Sequence, residues 1–216
     1  DVDVPVGVNI AKSEDVPPGE APADYRRSYE QVTGADLFVV NISCPNSQGF
    51  AALQSYDSMA AIVSELVDAG ASPLLVKLSP DLPERAVTDA VSLVSEFDLD
   101  GVVATNTTTE RPRTLESPHR AEAGGLSGRP IEPRATEMVR HVSRREDVPV
   151  VGVGGSATAG DDYRKLSVSA RVGHLHTGLV LRGPPHDRDI SRDLLELLEA
   201  DGFDSLEAAV GVDAEA

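Results

Sequence analysis

Residues 73–104 read PLLVKLSPDLPERAVTDAVSLVSEFDLDGVVA, and this stretch decides the fold class. Its opening, 73–78, is a short run dense in leucine and valine, as expected of a strand buried on both faces. Prolines and an aspartate then break the run, and Pro83 suits the first turn of a helix whose apolar residues recur at helical spacing as far as Phe97. A second apolar run, 101–104, repeats the strand pattern. Strand, helix and strand in this order form a parallel βαβ unit.

The same alternation extends in both directions. Strand-like runs lie at 5–10, 37–42, 148–153 and 172–175, and helical spacing at 24–32, 53–69, 133–142, 159–168 and 188–199. Six strands with helices between them predict an α/β chain with a parallel sheet and the helices outside it. An open, doubly wound sheet and a closed barrel both satisfy that pattern. With 216 residues, 40% of them hydrophobic, the chain reads as one domain over 1–216. Six units are two short of the commonest barrel, so two further units are expected to precede Asp1.

Composition narrows the function. There are 36 acidic residues against 19 basic ones, a formal net charge of −17. The lysines are only Lys12, Lys77 and Lys165. The acid is spread along the chain, a surface that repels nucleic acid and anionic headgroups and keeps protein dissolved in concentrated salt. A salt-adapted cytoplasmic protein is expected. No run of apolar residues is long enough for a transmembrane helix, which leaves peripheral membrane contact open. The single cysteine, Cys44, cannot close an internal disulfide.

The strand-like runs end in polar residues or glycine: Asn9, the segment Asn41-Ile-Ser-Cys-Pro-Asn46, Lys77, Thr105 with Asn106, Gly154 with Gly155, and Thr177. In a parallel sheet these carboxyl ends share one edge, where such folds bind ligands. Lys77 sits among leucines and valine and needs an anion, either a structural carboxylate or a phosphate or anionic ring. Gly154-Gly155 is either a tight turn or a place where backbone amides approach a phosphate. Cys44 is either a small buried hydrophobe or, beside Asn41, Ser43 and Asn46, a thiol able to act as a base. Asn41, Asn46 and Asn106 each carry a donor and an acceptor and suit the alternating edge of a cyclic imide, although each could equally cap a turn. His174 and His176 would share a strand face, but no carboxylate or thiol joins them at ligand spacing, so no metal is expected. The irregular stretch 111–128 is long enough to suggest a functional loop.

Five segments resemble, in order, the motifs of dihydroorotate dehydrogenases. They are Asn-Ile-Ser-Cys-Pro-Asn-Ser-Gln-Gly at 41–49, Val-Lys-Leu-Ser-Pro-Asp-Leu at 76–82, Asp-Gly-Val-Val-Ala-Thr-Asn-Thr-Thr at 100–108, Gly-Gly-Leu-Ser-Gly at 124–128 and Val-Gly-Val-Gly-Gly at 151–155. The opening Gly-Val-Asn-Ile-Ala-Lys at 7–12, followed by Asp24 and Tyr25, resembles the membrane-associated, quinone-using class. The resemblance implies a (β/α)8 barrel, present as about six of its eight units, with FMN at the carboxyl ends of the strands. It also implies oxidation of dihydroorotate to orotate in pyrimidine biosynthesis, with quinone as the electron acceptor. By the same resemblance Asn9 and Asn41 touch flavin or substrate, Lys77 faces the flavin N1 region and Thr105 lies beside the flavin. Asn46 and Asn106 hold the orotate ring, and Gly128, Gly155 and Thr177 bind the FMN phosphate. Cys44 falls at the position of the base that takes a proton from C5 while hydride leaves C6.

Two departures stand out. Quinone-using relatives usually place serine where this chain has Cys44. Within 167–176, Gly173 and His174 stand where the family keeps an apolar strand, which is expected to weaken that strand and the phosphate contact beyond it. The competing readings are a non-catalytic barrel fragment and another FMN-dependent pyrimidine-reducing barrel. If the dispersed acid is a salt adaptation, the thermal unfolding midpoint rises steeply from low to molar KCl as self-repulsion is screened. A midpoint indifferent to salt would contradict that reading.

Overall fold

The computed structural model describes residues 4–43, 50–145 and 147–215. Six strands form in chain order: β1 (Gly7–Ala11), β2 (Leu37–Asn41), β3 (Leu74–Leu78), β4 (Gly101–Ala104), β5 (Val150–Val153) and β6 (Ala170–His174). The first five are each followed by a helix: α1 (Ala21–Glu30), α2 (Tyr56–Asp68), α3 (Glu84–Glu96), α4 (Glu132–Ser143) and α5 (Ala159–Ser167). After β6 come α6 (Thr177–Arg182), α7 (Pro185–Ala200) and α8 (Leu206–Ala209).

Every adjacent pair is parallel and the spatial order is the chain order, β1-β2-β3-β4-β5-β6. That order decides between the two architectures left open by the alternation. A doubly wound sheet reverses direction at a switch point, which puts helices on both faces. Here the winding never reverses, so right-handed crossovers place all the helices on one face. The other face can be covered only by curling inward on itself, and the chain accordingly forms six consecutive βα units of a (β/α)8 barrel.

Alternation along the strands sorts their side chains. Val40, Leu74, Val76, Leu78, Val102 and Ala104 belong to the large apolar cluster beneath the helices. Between them, Leu75, Val103 and Val153 form a second cluster with Leu37, Val39 and Val151 on the inner face. The helices answer with residues at three- and four-residue spacing, such as Met59, Ile62, Val63 and Leu66 of α2 and Val87, Ala90, Val91 and Val94 of α3. The inner face is also where polar residues enter the register. Asn41 pairs with Lys77, Lys77 with Val103, Val103 with Val151 and Val151 with Val172. Asn41 and Lys77 therefore extend the inner apolar layer into a polar one, one step nearer the carboxyl edge than Val39 and Leu75.

Some boundaries differ from the sequence reading. The apolar segment 53–69 is a 3₁₀ turn, Phe50–Gln54, followed by α2, because Ser55 accepts a hydrogen bond from Ser58 N and starts a new helix. Helix α1 begins at Ala21 because a proline in the first turn forfeits no helical hydrogen bond, and α7 begins at Pro185 for the same reason. The final strand occupies Ala170–His174 instead of 172–175, and it pairs with β5 across an irregularity at Val150 and Val151. Gly173 and His174 have thus not prevented its pairing. Among the described residues, no helix is long and apolar enough to cross a membrane.

One hydrogen bond ties the helical layer to the polar edge. Tyr25 of α1 is fully buried, and its hydroxyl donates to the Asn41 carbonyl oxygen at 2.7 Å. Replacing Tyr25 with phenylalanine leaves that carbonyl without this donor and should cost about 1–3 kcal/mol in chemical denaturation. A loss below about 0.5 kcal/mol would mean the bond contributes little to stability.

Candidate functional site

The carboxyl ends of β3, β4, β5 and β6 open onto a cleft of about 180 Å³. Its lining includes Lys77, Thr105, Asn106, Ser127, Gly128, Gly155, Ser156, His174, His176 and Thr177.

One wall is nearly bare backbone, and the glycines explain why. Gly155 has φ +78°, and a Cβ there would lie 2.3 Å from Glu132 Cβ and 2.7 Å from Glu132 N, so the turn after β5 presses on the start of α4. Gly128, at φ +77°, approaches the head of α6 less tightly: its Cβ would lie 3.2 Å from Thr177 Cγ2. Thr177 Oγ1 then donates to Ser127 Oγ at 2.9 Å and binds the loop before α4 to the turn after β6. Three segments far apart in the chain thereby meet around one concavity.

The facing wall is polar. The Asn106 carboxamide nitrogen lies 3.2 Å from Asn41 Oδ1, 3.0 Å from the Ser43 carbonyl oxygen and 3.2 Å from Ser43 Oγ. Its oxygen accepts from Thr107 N at 2.8 Å, and Ser43 Oγ donates to the Lys77 carbonyl oxygen at 3.0 Å. Backbone bonds fix the same corner, since Thr105 N donates to Val153 O and Asn106 N to Leu78 O, each at 2.8 Å. Lys77 is half-buried beneath this network. His174 keeps an exposed surface, yet the protein around it strips enough hydration to hold its pKa below the ordinary histidine value. The Lys77 ammonium and His176 push it the same way. A neutral His174 adds no positive charge to the cleft, whereas Lys77 supplies one.

The loops are braced from outside. Asp81 Oδ1 accepts from Thr108 Oγ1 at 2.5 Å, while Oδ2 accepts from Thr109 N and Thr109 Oγ1 at 2.8 and 2.9 Å. Burial alone would raise the Asp81 carboxyl, but these donors and the nearby Arg134 outweigh it and hold the pKa below the usual carboxylate range. Arg111 gathers the irregular loop. Its guanidinium donates to the carbonyls of Thr108, Thr109, Glu110, Glu122 and Gly124.

Of the residues singled out in the sequence, Lys77, Thr105, Asn106, Gly128, Gly155 and Thr177 line this cleft, and Asn41 joins it through Asn106. Asn9 is not in the lining; it is exposed on β1, paired with Val39. Cys44 and Asn46 lie outside the described residues. The sequence reading gave no role to Ser127 or Ser156, named Ser43 only as a neighbour of Cys44, and set His174 and His176 aside. Ser43 and Ser127 do fall inside the quoted motifs at 41–49 and 124–128.

A one-directional run of βα units, with a lysine, carboxamides and glycine turns gathered at the carboxyl ends of its strands, defines a barrel protein with a ligand site at its rim. The comparisons make the class specific. The dihydroorotate dehydrogenase family model matches residues 1–198, and the chain belongs to that family. Dihydroorotate dehydrogenase (quinone) of Haloarcula marismortui is 64% identical over 214 residues, covering 99% of this chain and 61% of that protein. Its counterpart in Halobacterium salinarum is 58% identical over 212 residues, covering 98% of this chain and 61% of the relative. A crystal structure of DHODH in complex with ferulenol from Eimeria tenella superposes with a TM-score of 0.91 at 30% identity, covering 96% of this chain and 61% of that one. The chain thus spans 61% of the length of these curated relatives. Both curated relatives are haloarchaeal, in keeping with the acidic composition.

Asp81 gives a test of the bracing. A carboxylate with a depressed pKa contributes stability above the ordinary carboxylate range, and that contribution disappears as pH falls through the depressed value. Asp81→Asn should cost about 1–3 kcal/mol at neutral pH, with the gap to the unmodified protein closing in acid. A gap independent of pH would show that charge is not what Asp81 contributes.

Proposed function

We propose that this chain carries the FMN- and substrate-binding rim of a quinone-using dihydroorotate dehydrogenase, oxidising dihydroorotate to orotate in pyrimidine biosynthesis. The observation that carries the reading is the meeting of Lys77, the Asn41–Ser43–Asn106 network and the glycine turns at Gly128 and Gly155 in one cleft. Family membership and the names of the relatives support it.

The residues present fit a phosphate-bearing flavin. Where Cβ atoms would collide, at Gly155 and more tightly than usual at Gly128, the wall is backbone, the surface best suited to an anion that accepts from N–H groups. In this reading Gly128, Gly155 and Thr177 hold the phosphate, Thr105 lies beside the ring system, and Asn9 and Asn41 touch the flavin or the substrate. FMN, when bound, supplies the hydride acceptor. Lys77 would hold the flavin at its N1 side, where its positive charge would favour the anionic reduced ring. Asn41, Asn46 and Asn106 read the substrate's alternating carbonyls and N–H groups. Cys44, as thiolate, removes the proton from C5 as hydride leaves C6.

Quinone would be the electron acceptor, which a cytoplasmic protein would meet by resting peripherally on the inner face of the cell membrane. This acceptor is argued from the relatives' names and from the resemblance of residues 7–25 to the quinone-using class.

Cys44→Ala tests the central role. The variant should still take up FMN and turn yellow, but its bound flavin should bleach with dihydroorotate about 10²- to 10⁴-fold more slowly, the usual contribution of a positioned base. Cys44→Ser should retain some activity, with the pH profile displaced upward because a hydroxyl ionises far less readily than a thiol of ordinary pKa about 8.5. Unchanged bleaching in Cys44→Ala would remove Cys44 from the chemistry, and colourless protein in every form would remove FMN.

A further inference from the structure

Behind the cleft, at the seam of α5, β6 and α7, lies a polar cluster to which the proposed function assigns no role. Ser156, Asp162 and His186 are exposed by only 6%, 4% and 6%. Ser156 Oγ, Asp162 Oδ1 and His186 Nε2 are all buried without a hydrogen bond of ordinary distance and angle among the described residues, although Ser156 and His186 lie near enough to Asp162 to act on its carboxyl. Three such atoms in one place are costly, and native proteins rarely keep them without a use.

Their position indicates the use. Ser156 follows Gly154-Gly155 and lines the cleft. Gly178, in the first turn of α6, is squeezed from behind: a Cβ there would lie 2.9 Å from His186 Nε2 and 2.9 Å from the Ser156 carbonyl oxygen. His186 and the 154–156 turn therefore close on the residue that follows Thr177. Asp162 lies under the same seam, where a Cβ on Gly173 would come within 3.4 Å of its carboxyl carbon. Burial pushes the Asp162 carboxyl above its ordinary pKa, against the opposing pull of Ser156, Lys165 and His186, with Asp161 adding to the rise. Lys165, fully buried beside it, donates to the Asp161 carbonyl oxygen at 3.2 Å.

We propose that Ser156, Asp162 and His186 are positioning residues for the anionic end of the ligand, a polar seam that locks the turn after β5 against the first turn of α6 so that both face one phosphate. The inference rests on the reading of this cleft as a phosphate site and goes beyond it by assigning the site's rigidity to a seam of which Ser156 alone lines the cleft, with Asp162 and His186 behind it. A seam of this kind serves the phosphate and leaves the ring system's contacts at Lys77 and Thr105 untouched.

The test compares FMN with riboflavin, which has the same ring and no phosphate, by fluorescence titration of the full chain. In Ser156→Ala and His186→Ala the FMN dissociation constant should rise roughly tenfold while that of riboflavin stays the same, and His186→Gln, which keeps a polar atom near the Nε2 position, should recover part of the loss. If unmodified protein binds FMN more tightly than riboflavin and the variants keep that preference, the positioning role is wrong. Parallel loss of both ligands would overturn it too, because a merely structural role predicts that result. If unmodified protein shows no preference for FMN, the phosphate reading itself fails, whatever the variants do.

Discussion

Parallel pairing in unbroken chain order is the constraint from which the rest of the molecule follows. Because β1 to β6 lie side by side in sequence order, each connecting helix returns over the same face and every strand ends at the same edge. The sheet then has an outer surface completed by helices and an inner surface that must complete itself. The inner surface is apolar at Leu75, Val103 and Val153 and turns polar at Asn41 and Lys77. One ammonium near the end of an apolar layer is tolerable only where the layer opens onto something polar, so the position of Lys77 and that of the cleft are the same fact seen from two sides.

The cleft is built more by loops than by strands, and the loops are held by a few charged groups. Asp81 fixes the turn after β4 from the turn after β3, and Arg111 fixes the long loop from within. The hydroxyl pair of Thr177 and Ser127 joins that loop to the head of α6. None of these side chains needs to touch a ligand to matter, because each removes freedom that binding would otherwise have to remove.

The layout was legible because two periodicities in the sequence are strict. Apolar runs of strand length alternate with helical spacing, and polar residues or glycine mark the ends of the runs at Asn41, Lys77, Asn106 and Gly154. That was enough for the fold class and for most of one wall of the site, but not for the choice between an open sheet and a barrel, since winding direction leaves no mark on a single strand; the barrel was legible only through the family motifs, and the strand order agrees with it. The head of α7 was hidden because Pro184-Pro185 reads as a breaker although proline is accepted at a helix start. The buried polar seam was hidden more deeply: Asp162 and Lys165 fall in a charged stretch of α5 that looks like a solvated face, and only the packing of α7 and β6 over it reveals otherwise. Serines 127 and 156 escaped for a plainer reason, as serine in a turn is the commonest of signals.

The grip of Arg111 on five carbonyl oxygens bears on how the protein survives in a cell. A long surface loop without regular structure is ordinarily the first place a protease cuts, since the enzyme must draw several residues into an extended form and bond to their main chain. In this loop part of that main chain is already committed inward, to the Arg111 guanidinium. A segment that by length and composition is the natural place for nicking thus has carbonyls that must be released before a protease can extend it, and Arg111 holds several of them.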